Sequence, residues 1–179
     1  TDRKLAEAAL AASEARLLGI VNSAMDGIIS VDDEQRIRHF NPAAEKLFGV
    51  TAAGMLGQPL TLLMPENSRA AHRTHVRAFA QSGTTARRMG ELGVVKGIRA
   101  TGEEFPLEAS IAQTEAGGER IFTAVVRDVT ARKEAESALA ASEQRYRVLV
   151  EQAVDGIFVA DNSGRYVDVN PAGCQMLGY

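Results

Sequence analysis

The sequence predicts an α+β fold in which an antiparallel sheet carries short helices on one face and is flanked by longer helices. The first observation is the order of segments, which runs strand, strand, several short helices and then about three strands. The second is that apolar and polar residues alternate over residues 105–112, as in a strand with one buried face. The third is that good helix formers dominate residues 2–23 and again 131–154, on either side of the sheet region.

An internal repeat divides the chain. Residues 9–14 recur at 138–143, residues 26–28 at 155–157 and residues 41–43 at 170–172, all at one constant offset. We therefore predict an N-terminal amphipathic helix (1–23), a complete domain (24–130), a connector helix (131–154) and the truncated start of a second domain (155–179). The last segment supplies two strands and part of a helix, which is too little to bury a core.

The two long helices share a spacing of apolar or small residues that alternates between three and four. This spacing is typical of a two-stranded coiled coil, because it keeps one stripe facing a partner helix. It predicts a homodimer through the flanking helices, with a seam formed by Leu10, Leu17, Ile20, Leu139, Tyr146 and Leu149. The alternative is that each helix is a single amphipathic helix packed on its own domain.

Turn and cap residues bound the elements within the complete domain. Asn41 and Pro42 are typical of a helix start, and Gly49 of a helix end. A second helix is predicted over Ser68–Gln81, after short turns that end at Pro65. The predicted strands are Gly27–Asp32, Arg36–Phe40, one that contains residues 105–112, and Ile121–Asp128, the last two joined by a hairpin turn at residues 116–118.

Five motifs follow one another along the chain: Asp26-Gly27-Ile28, Asn41 to Gly49, Leu63-Met64-Pro65-Glu66, Gly102 to Glu108, and Arg127-Asp128-Val129-Thr130. This order of motifs resembles the PAS (sensory box) family, with the start of a second copy over 138–179. The resemblance implies a five-stranded antiparallel sheet with a helical face over a small cavity. Such domains bind a ligand, a cofactor or nothing, and pass a conformational change along their flanking helices.

The candidates for the ligand pocket are apolar residues chosen by the periodicity of the predicted strands and helices. They are Ile29, Val31, Leu47, Leu56, Met64, Val76, Phe79, Met89, Phe105, Leu107, Ile111, Phe122, Ala124 and Val126. Asp128 and Thr130 lie where the last strand must become the connector helix, and we expect them to relay the signal. Thr130 is predicted to cap the helix by accepting from a first-turn N–H, and Asp128 to hold a basic group. A plain helix cap without a signalling role is the alternative.

His72 is a candidate haem ligand. Haem-binding PAS domains carry their axial histidine on this helix, a few residues after a Met-Pro turn, and Arg69-Ala70-Ala71-His72 after Met64-Pro65 resembles that placement. An apolar pocket and a neutral imidazole would suit haem b. Against haem, the arginine of haem-sensing relatives falls near Gly93, where this chain has none. The alternative is that His72 is an interfacial helix residue.

Other cofactors are poorly supported. The resemblance does not predict flavin: light-sensing PAS relatives carry an Asn-Cys-Arg motif, which the helical segment lacks, and redox flavin relatives hold the ring with a Trp, which the chain does not contain. His72 and His75 share a helix face but lack the further Cys or His ligands of a zinc site, so no metal site is predicted. The single cysteine, Cys174, excludes an intramolecular disulfide and is interpreted as a small core residue.

Composition and motifs exclude several functions. The net charge of -3 argues against a nucleic-acid partner, and no apolar run is long enough to span a bilayer. Without a signal peptide, we expect a cytoplasmic protein. No catalytic triad, phosphate-binding loop or carboxylate pair occurs, so we expect no enzyme in this chain. The resemblance to the PAS family implies a parent histidine kinase or cyclic-di-GMP enzyme. The two hypotheses are a sensory PAS module for a small molecule and a ligand-free dimerisation spacer.

Overall fold

The computed structural model describes residues 2–82, 85–88 and 94–178. The chain separates into two compact units, residues 1–130 and 131–179. The first unit contains α1 (Asp2–Ser23), β1 (Gly27–Val31), β2 (Ile37–Phe40), α2 (Pro42–Phe48), α3 (Ala52–Met55), a 3-10 turn (Leu60–Leu63), α4 (Glu66–Gln81), β3 (Ala86–Arg88), β4 (Val94–Ile98), β5 (Glu104–Ala116) and β6 (Glu119–Asp128). Then follow α5 (Thr130–Glu151), β7 (Phe158–Ala160), β8 (Tyr166–Val169) and α6 (Pro171–Leu177).

The strands of the first unit form one antiparallel sheet in the order β2-β1-β6-β5. Both β3 and β4 pair with β5, but on different stretches of it: β3 lies beside residues 110–112 and β4 beside residues 104–108. The two short strands therefore share the fifth position, and the sheet is five strands wide. This confirms the α+β fold with a five-stranded antiparallel sheet.

Glycines at two predicted turns take the backbone conformations that the sequence requires. Gly117 and Gly118 have φ of 63° and 83°, and Ala116 pairs directly with Glu119, so a two-residue hairpin joins β5 to β6. This turn is tighter than predicted, and β6 consequently begins two residues earlier than expected, at Glu119. Gly49 ends α2 with φ of 71°, as predicted.

The start of α2 also follows the prediction. Asn41 is the N-cap, with its side chain accepting from the backbone N–H of Ala44, and Pro42 occupies the first turn. Helix α4 begins at Glu66 rather than at Ser68, because Pro65 ends the preceding turn and neither Glu66 nor Asn67 interrupts the helix.

The core of the first unit lies between the inner face of the sheet and the helices α2–α4. Phe48 and Phe105 meet edge to face with ring centroids 5.7 Å apart, and Phe79 contacts Phe122. The buried apolar cluster comprises Ile29, Val31, Ile37, Phe40, Ala44, Phe48, Met55, Leu60, Leu63, Val76, Phe79, Phe105, Leu107, Ala109, Ile111, Phe122 and Val126.

The second unit repeats the opening of the first. Its β7 and β8 pair antiparallel, and Asn170 caps α6 as Asn41 caps α2. The apolar side chains of this hairpin are largely uncovered: Val159 is 48% exposed and Tyr166 is 68% exposed. Helix α5 has no buried residue along its 22 positions.

Candidate functional site

A cavity of about 20 Å³ lies between the sheet and helix α4. Its walls are Ile29, Val31, Gln35, Leu60, His72, Val76, Ile111, Phe122 and Ala124. A space of this size accommodates about one water molecule. Pockets for cofactors and drug-sized ligands are typically about 300–1,000 Å³.

The predicted pocket residues divide into five groups, of which the last is Leu56 alone. Those on the cavity wall are Ile29, Val31, Val76, Ile111, Phe122 and Ala124, together with the candidate ligand His72. Those buried elsewhere in the same core are Phe79, Phe105, Leu107 and Val126. Leu47 and Met64 are partly buried and pack against this core. Met89 lies outside the described residues.

Leu56 was predicted to line the pocket, and this is wrong. Its side chain is 48% exposed, while the preceding residue, Met55, is buried. Helix α3 is a single turn that ends at Met55 with Leu56 as its C-cap, so the apolar position that faces the core is already occupied by Met55.

His72 is 9% exposed, and its Nδ1 atom has no hydrogen-bond partner in the protein. Burial lowers the pKa of His72 to about 4, and the positive charge of nearby His75 acts in the same direction. The imidazole is therefore neutral at pH 7. A neutral imidazole can ligate a metal, but the described residues include no group of three or more potential ligands.

The residues around His72 do not fit a porphyrin. The cavity that His72 lines has room for about one water molecule, and its other walls are closely packed core side chains. The imidazole has the right protonation state for an iron ligand, but the space beside it is far too small for the macrocycle.

Gln35 is a wall residue that the sequence interpretation missed. It lies in the turn between β1 and β2, where a polar residue is ordinarily solvent-exposed. Its Oε1 atom is nevertheless buried and without a hydrogen-bond partner. The internal repeat could have drawn attention to it, because the equivalent position of the second copy is a glycine, Gly164.

Arg99 joins three parts of the first unit. Its Nη2 atom lies 2.6 Å from Oδ2 of Asp128, and Nη1 donates to the carbonyl of Leu47 at the end of α2. The guanidinium carbon lies 3.8 Å from the centroid of the Phe105 ring, which is 1% exposed. A cation over a buried aromatic face is attracted to the ring, so Arg99 connects the core with the end of β6.

Asp128 in turn holds the first residue of α5. Its Oδ1 atom accepts from the backbone N–H of Thr130 at 2.8 Å and from the Thr130 hydroxyl at 2.5 Å. Partial burial alone would raise the pKa of Asp128, but hydrogen bonds from Thr130 and Arg99 outweigh it and hold the pKa below 3.8. The carboxylate is therefore charged at neutral pH.

The predicted capping role of Thr130 is wrong. Helix α5 begins at Thr130 itself, and its hydroxyl donates to Asp128 instead of accepting from a first-turn N–H. The free backbone N–H of Thr130 donates to the carboxylate of Asp128, two residues earlier, because β6 runs directly into the helix. The basic group expected beside Asp128 is Arg99, which sequence reasoning did not identify.

Asn41 connects the entering helix α1 to the sheet. Its Oδ1 accepts from the backbone N–H groups of Ile28 and Ala44, at 2.8 and 2.9 Å. Its Nδ2 donates to the carbonyls of Val21 in α1 and of Asp26, each at 3.1 Å. The amide is fully buried, and all four contacts are satisfied.

The second copy reproduces this arrangement. Asn170 accepts from the N–H groups of Ile157 and Gly173 and donates to the carbonyls of Val150 and Asp155. Val150 belongs to the last turn of α5. The same side chain thus fixes a helix end to a β-strand at the start of each copy.

The six predicted seam residues are all exposed. Leu10, Leu17 and Ile20 are each 61% exposed, while Leu139, Tyr146 and Leu149 are 62–68% exposed. Among the described residues, no helix combines the length and apolarity needed to cross a membrane.

The sequence matches two known family models. One, described as the PAS fold, matches residues 21–134, and the other, described as the PAS domain, matches residues 144–179. The first match covers well over half of the chain and contains all of the sheet, the cavity and the Arg99–Asp128 contact.

Three curated proteins illustrate the similarity. Sensor protein FixL of Bradyrhizobium diazoefficiens is 33% identical over 77% of this chain and 27% of its own length. Oxygen sensor protein DosP of Escherichia coli and sporulation kinase E of Bacillus subtilis are each 27% identical over 87% of this chain. The chain spans 19% and 20% of the lengths of those two proteins.

Solved structures share the fold. The PAS domain of an HTR-like protein from Haloarcula marismortui superposes with a TM-score of 0.61 at 21% identity, covering 70% of this chain and 98% of that one. A PAS domain from a two-component sensor histidine kinase gives a TM-score of 0.55 at 16% identity, covering 65% and 96%.

Proposed function

The chain belongs to the PAS family, and on that premise we propose that residues 24–130 form a sensory module whose core is coupled to the start of α5. The observation that carries this proposal is the unbroken set of contacts from Phe105 through Arg99 and Asp128 to Thr130. A change in core packing that moves the Phe105 ring changes the position that Arg99 prefers. The movement of Arg99 then shifts the position of the Asp128 carboxylate, which accepts hydrogen bonds from the first residue of α5.

The names of the relatives support a sensory role. One is called a sensor protein, one an oxygen sensor and one a sporulation kinase. We propose that this chain performs the corresponding input step for a parent protein of the histidine kinase or cyclic-di-GMP class. The catalytic step would belong to that parent, since the described residues offer no catalytic constellation.

We also propose that the module acts as a homodimer through α1 and α5. This proposal is supported by exposed apolar residues that recur at a coiled-coil spacing. They are Leu10, Leu17 and Ile20 in α1 and Leu139, Tyr146 and Leu149 in α5. Sedimentation equilibrium should show a dimer for the chain and a monomer for the double variant Leu10→Lys, Leu17→Lys. Leu18→Lys, at an exposed position outside the seam, is the matched control and should remain dimeric.

A ligand-free relay is the second candidate, and the small size of the cavity favours it. In that case the module would transmit strain between the helices that enter and leave it, through Asn41 and Asp128. Native mass spectrometry of the purified chain separates the two candidates. A bound organic molecule supports sensing of a metabolite, and its absence supports the relay.

The proposal as a whole is tested in the parent protein with the variant Asp128→Asn. Asp33→Asn is the matched control, because Asp33 is exposed and lies in the β1–β2 turn. We expect Asp128→Asn to change the output activity several-fold while the fold, measured by circular dichroism, is retained. Equal output from the Asp128→Asn, Asp33→Asn and unmodified proteins would refute the coupling.

A further inference from the structure

Gln35 adopts a backbone conformation that glutamine rarely takes. Its φ is 61°, in the left-handed region, and it is the non-glycine residue with positive φ among the described residues. The equivalent residue of the second copy is Gly164, with φ of 82°, so glycine can adopt the backbone conformation that this turn requires.

The backbone contacts of this turn do not require a side chain. The N–H of Gln35 donates to the carbonyl of Asp32 at 2.9 Å, and its carbonyl accepts from Leu60 at 3.0 Å. Glycine would make both bonds without strain. What glutamine adds to the first copy is therefore its side chain with the amide group, and Gln35 is one of the residues that line the cavity.

Two residues on the wall of this cavity each carry a buried polar atom without a partner. Oε1 of Gln35 and Nδ1 of His72 are both buried, neither has a hydrogen-bond partner in the protein, and both residues line the wall. The other seven wall residues are apolar. Buried polar atoms are almost always hydrogen-bonded, and leaving two of them unsatisfied beside one small space is costly.

We infer that the Gln35 amide and the His72 imidazole form a binding site for one neutral, water-sized molecule that hydrogen-bonds to both, and that water is its occupant. The volume of about 20 Å³ suits one water molecule, and a water needs two to four polar partners, of which the protein supplies two. A charged occupant is excluded because seven of the nine wall residues are apolar and His72 is itself neutral.

The site lies beside the strands that lead to α5, and this position gives it a role in sensing. That role, unlike the binding of water, rests on the proposed function. Ile111 lies on β5, and Phe122 and Ala124 lie on β6, the strand that ends at Asp128. Loss or replacement of the bound molecule changes the packing of these strands. Occupancy by water can be measured without reference to the coupling.

The test is the detection of a long-lived water by nuclear Overhauser effects between water and the methyl groups of Val76, Ile29 and Ile111 in the labelled protein. We expect these cross-peaks in the unmodified chain and in His72→Gln, which keeps a hydrogen-bonding group. We expect them to be lost in His72→Leu and to remain in His75→Leu, a matched control at an exposed position of the same helix.

A second measurement keeps the inference testable if one variant unfolds. Gln35→Met removes the amide and retains its approximate length, so a double-mutant cycle with His72→Leu reports whether the two groups share a partner. We expect the double variant to lose less stability than the sum of the two single losses. Additive losses, cross-peaks that persist in His72→Leu, or no cross-peaks in the unmodified chain would each overturn the inference. None of these results depends on Asp128, so the coupling could fail while the site stands.

Discussion

Arg99 and Asp128 form a contact of 2.6 Å between Nη2 and Oδ2, although the two residues are 29 positions apart in the chain. Both side chains are about a quarter to a third exposed, at 23% and 31%, so the pair is neither fully solvated nor buried. The face of the same guanidinium lies on the Phe105 ring. The contact therefore connects a fully buried core residue with the start of an exposed helix.

Thr130→Val should weaken the start of α5. The substitution removes the hydroxyl that donates to Asp128 at 2.5 Å while keeping the shape of the side chain. We expect a loss of about 1 kcal/mol in the free energy of unfolding. Thr130→Ser retains the hydroxyl and serves as the control in urea denaturation. Equal losses for the two variants would mean that the hydroxyl contact contributes nothing.

Asn41→Ala should be among the most destabilising single changes in the first unit. It removes two acceptor and two donor contacts of a fully buried amide and leaves the N–H groups of Ile28 and Ala44 without that partner. We expect a cost of about 3 kcal/mol or more, since each unsatisfied buried group costs about 1–3 kcal/mol. Asn67→Ala, at an exposed position of α4, should change the unfolding midpoint little. A cost below about 1 kcal/mol for Asn41→Ala would contradict its role as a junction.

Gly27→Ala should disturb the contact between β1 and α2. An added Cβ would lie 2.7 Å from Cγ2 of Val126 and 3.3 Å from the backbone Cα of Ala44. The valine can shift but the helix backbone cannot easily do so, and we expect a loss of about 2 kcal/mol. Gly19→Ala meets no atom within 4 Å and lies within α1, so it should leave thermal stability unchanged or raise it. The idea of a close approach fails if Gly27→Ala unfolds at the same temperature as Gly19→Ala.

Stability should fall between about pH 6.5 and pH 4. His72 has its pKa lowered from 6.5 to about 4 in the folded state, mainly by burial and then by the charge of His75. In this range the unfolded chain binds a proton that the folded chain does not, so acidification favours unfolding, by about 3 kcal/mol in total. Chemical denaturation at several pH values measures the slope.

Protonation of the carboxylates affects the stability of the fold in a separate range of pH. The pKa values of Asp26, Asp32 and Asp128 are lowered below 3.8 by hydrogen bonds and nearby arginines, so their contribution is lost only under more acidic conditions. His72→Leu should therefore flatten the pH dependence above pH 4, while His75→Leu should largely preserve it. A slope that is unchanged in His72→Leu would show that another group is responsible.

The sequence predicted most of the fold because local signals agreed with one another. The period-two alternation around Phe105, the cap at Asn41 and the paired glycines at 117 and 118 each act within a few residues. The repeat at constant offset then predicted which helix enters each copy. Leu56 was misplaced because apolarity alone does not decide which of two adjacent residues, Met55 or Leu56, faces the core.

The site was less predictable because its parts come from distant segments. Arg99 precedes Asp128 by 29 positions, and their contact depends on the pairing of both β4 and β6 with β5. The buried amide of Gln35 was missed because a polar residue in a turn usually faces solvent. The size of the cavity depends on the side chains that fill it, and a list of apolar residues cannot reveal it.

Hydrogen exchange at amides 134–138, in the second turn of α5, tests the coupling most directly. The core change Phe105→Leu should increase exchange there in the unmodified background. In the background of Arg99→Gln, which removes the charged bridge, exchange should already be raised, and Phe105→Leu should add little to it. If Phe105→Leu has the same effect in both backgrounds, or none in either, the core is not coupled to α5 through Arg99.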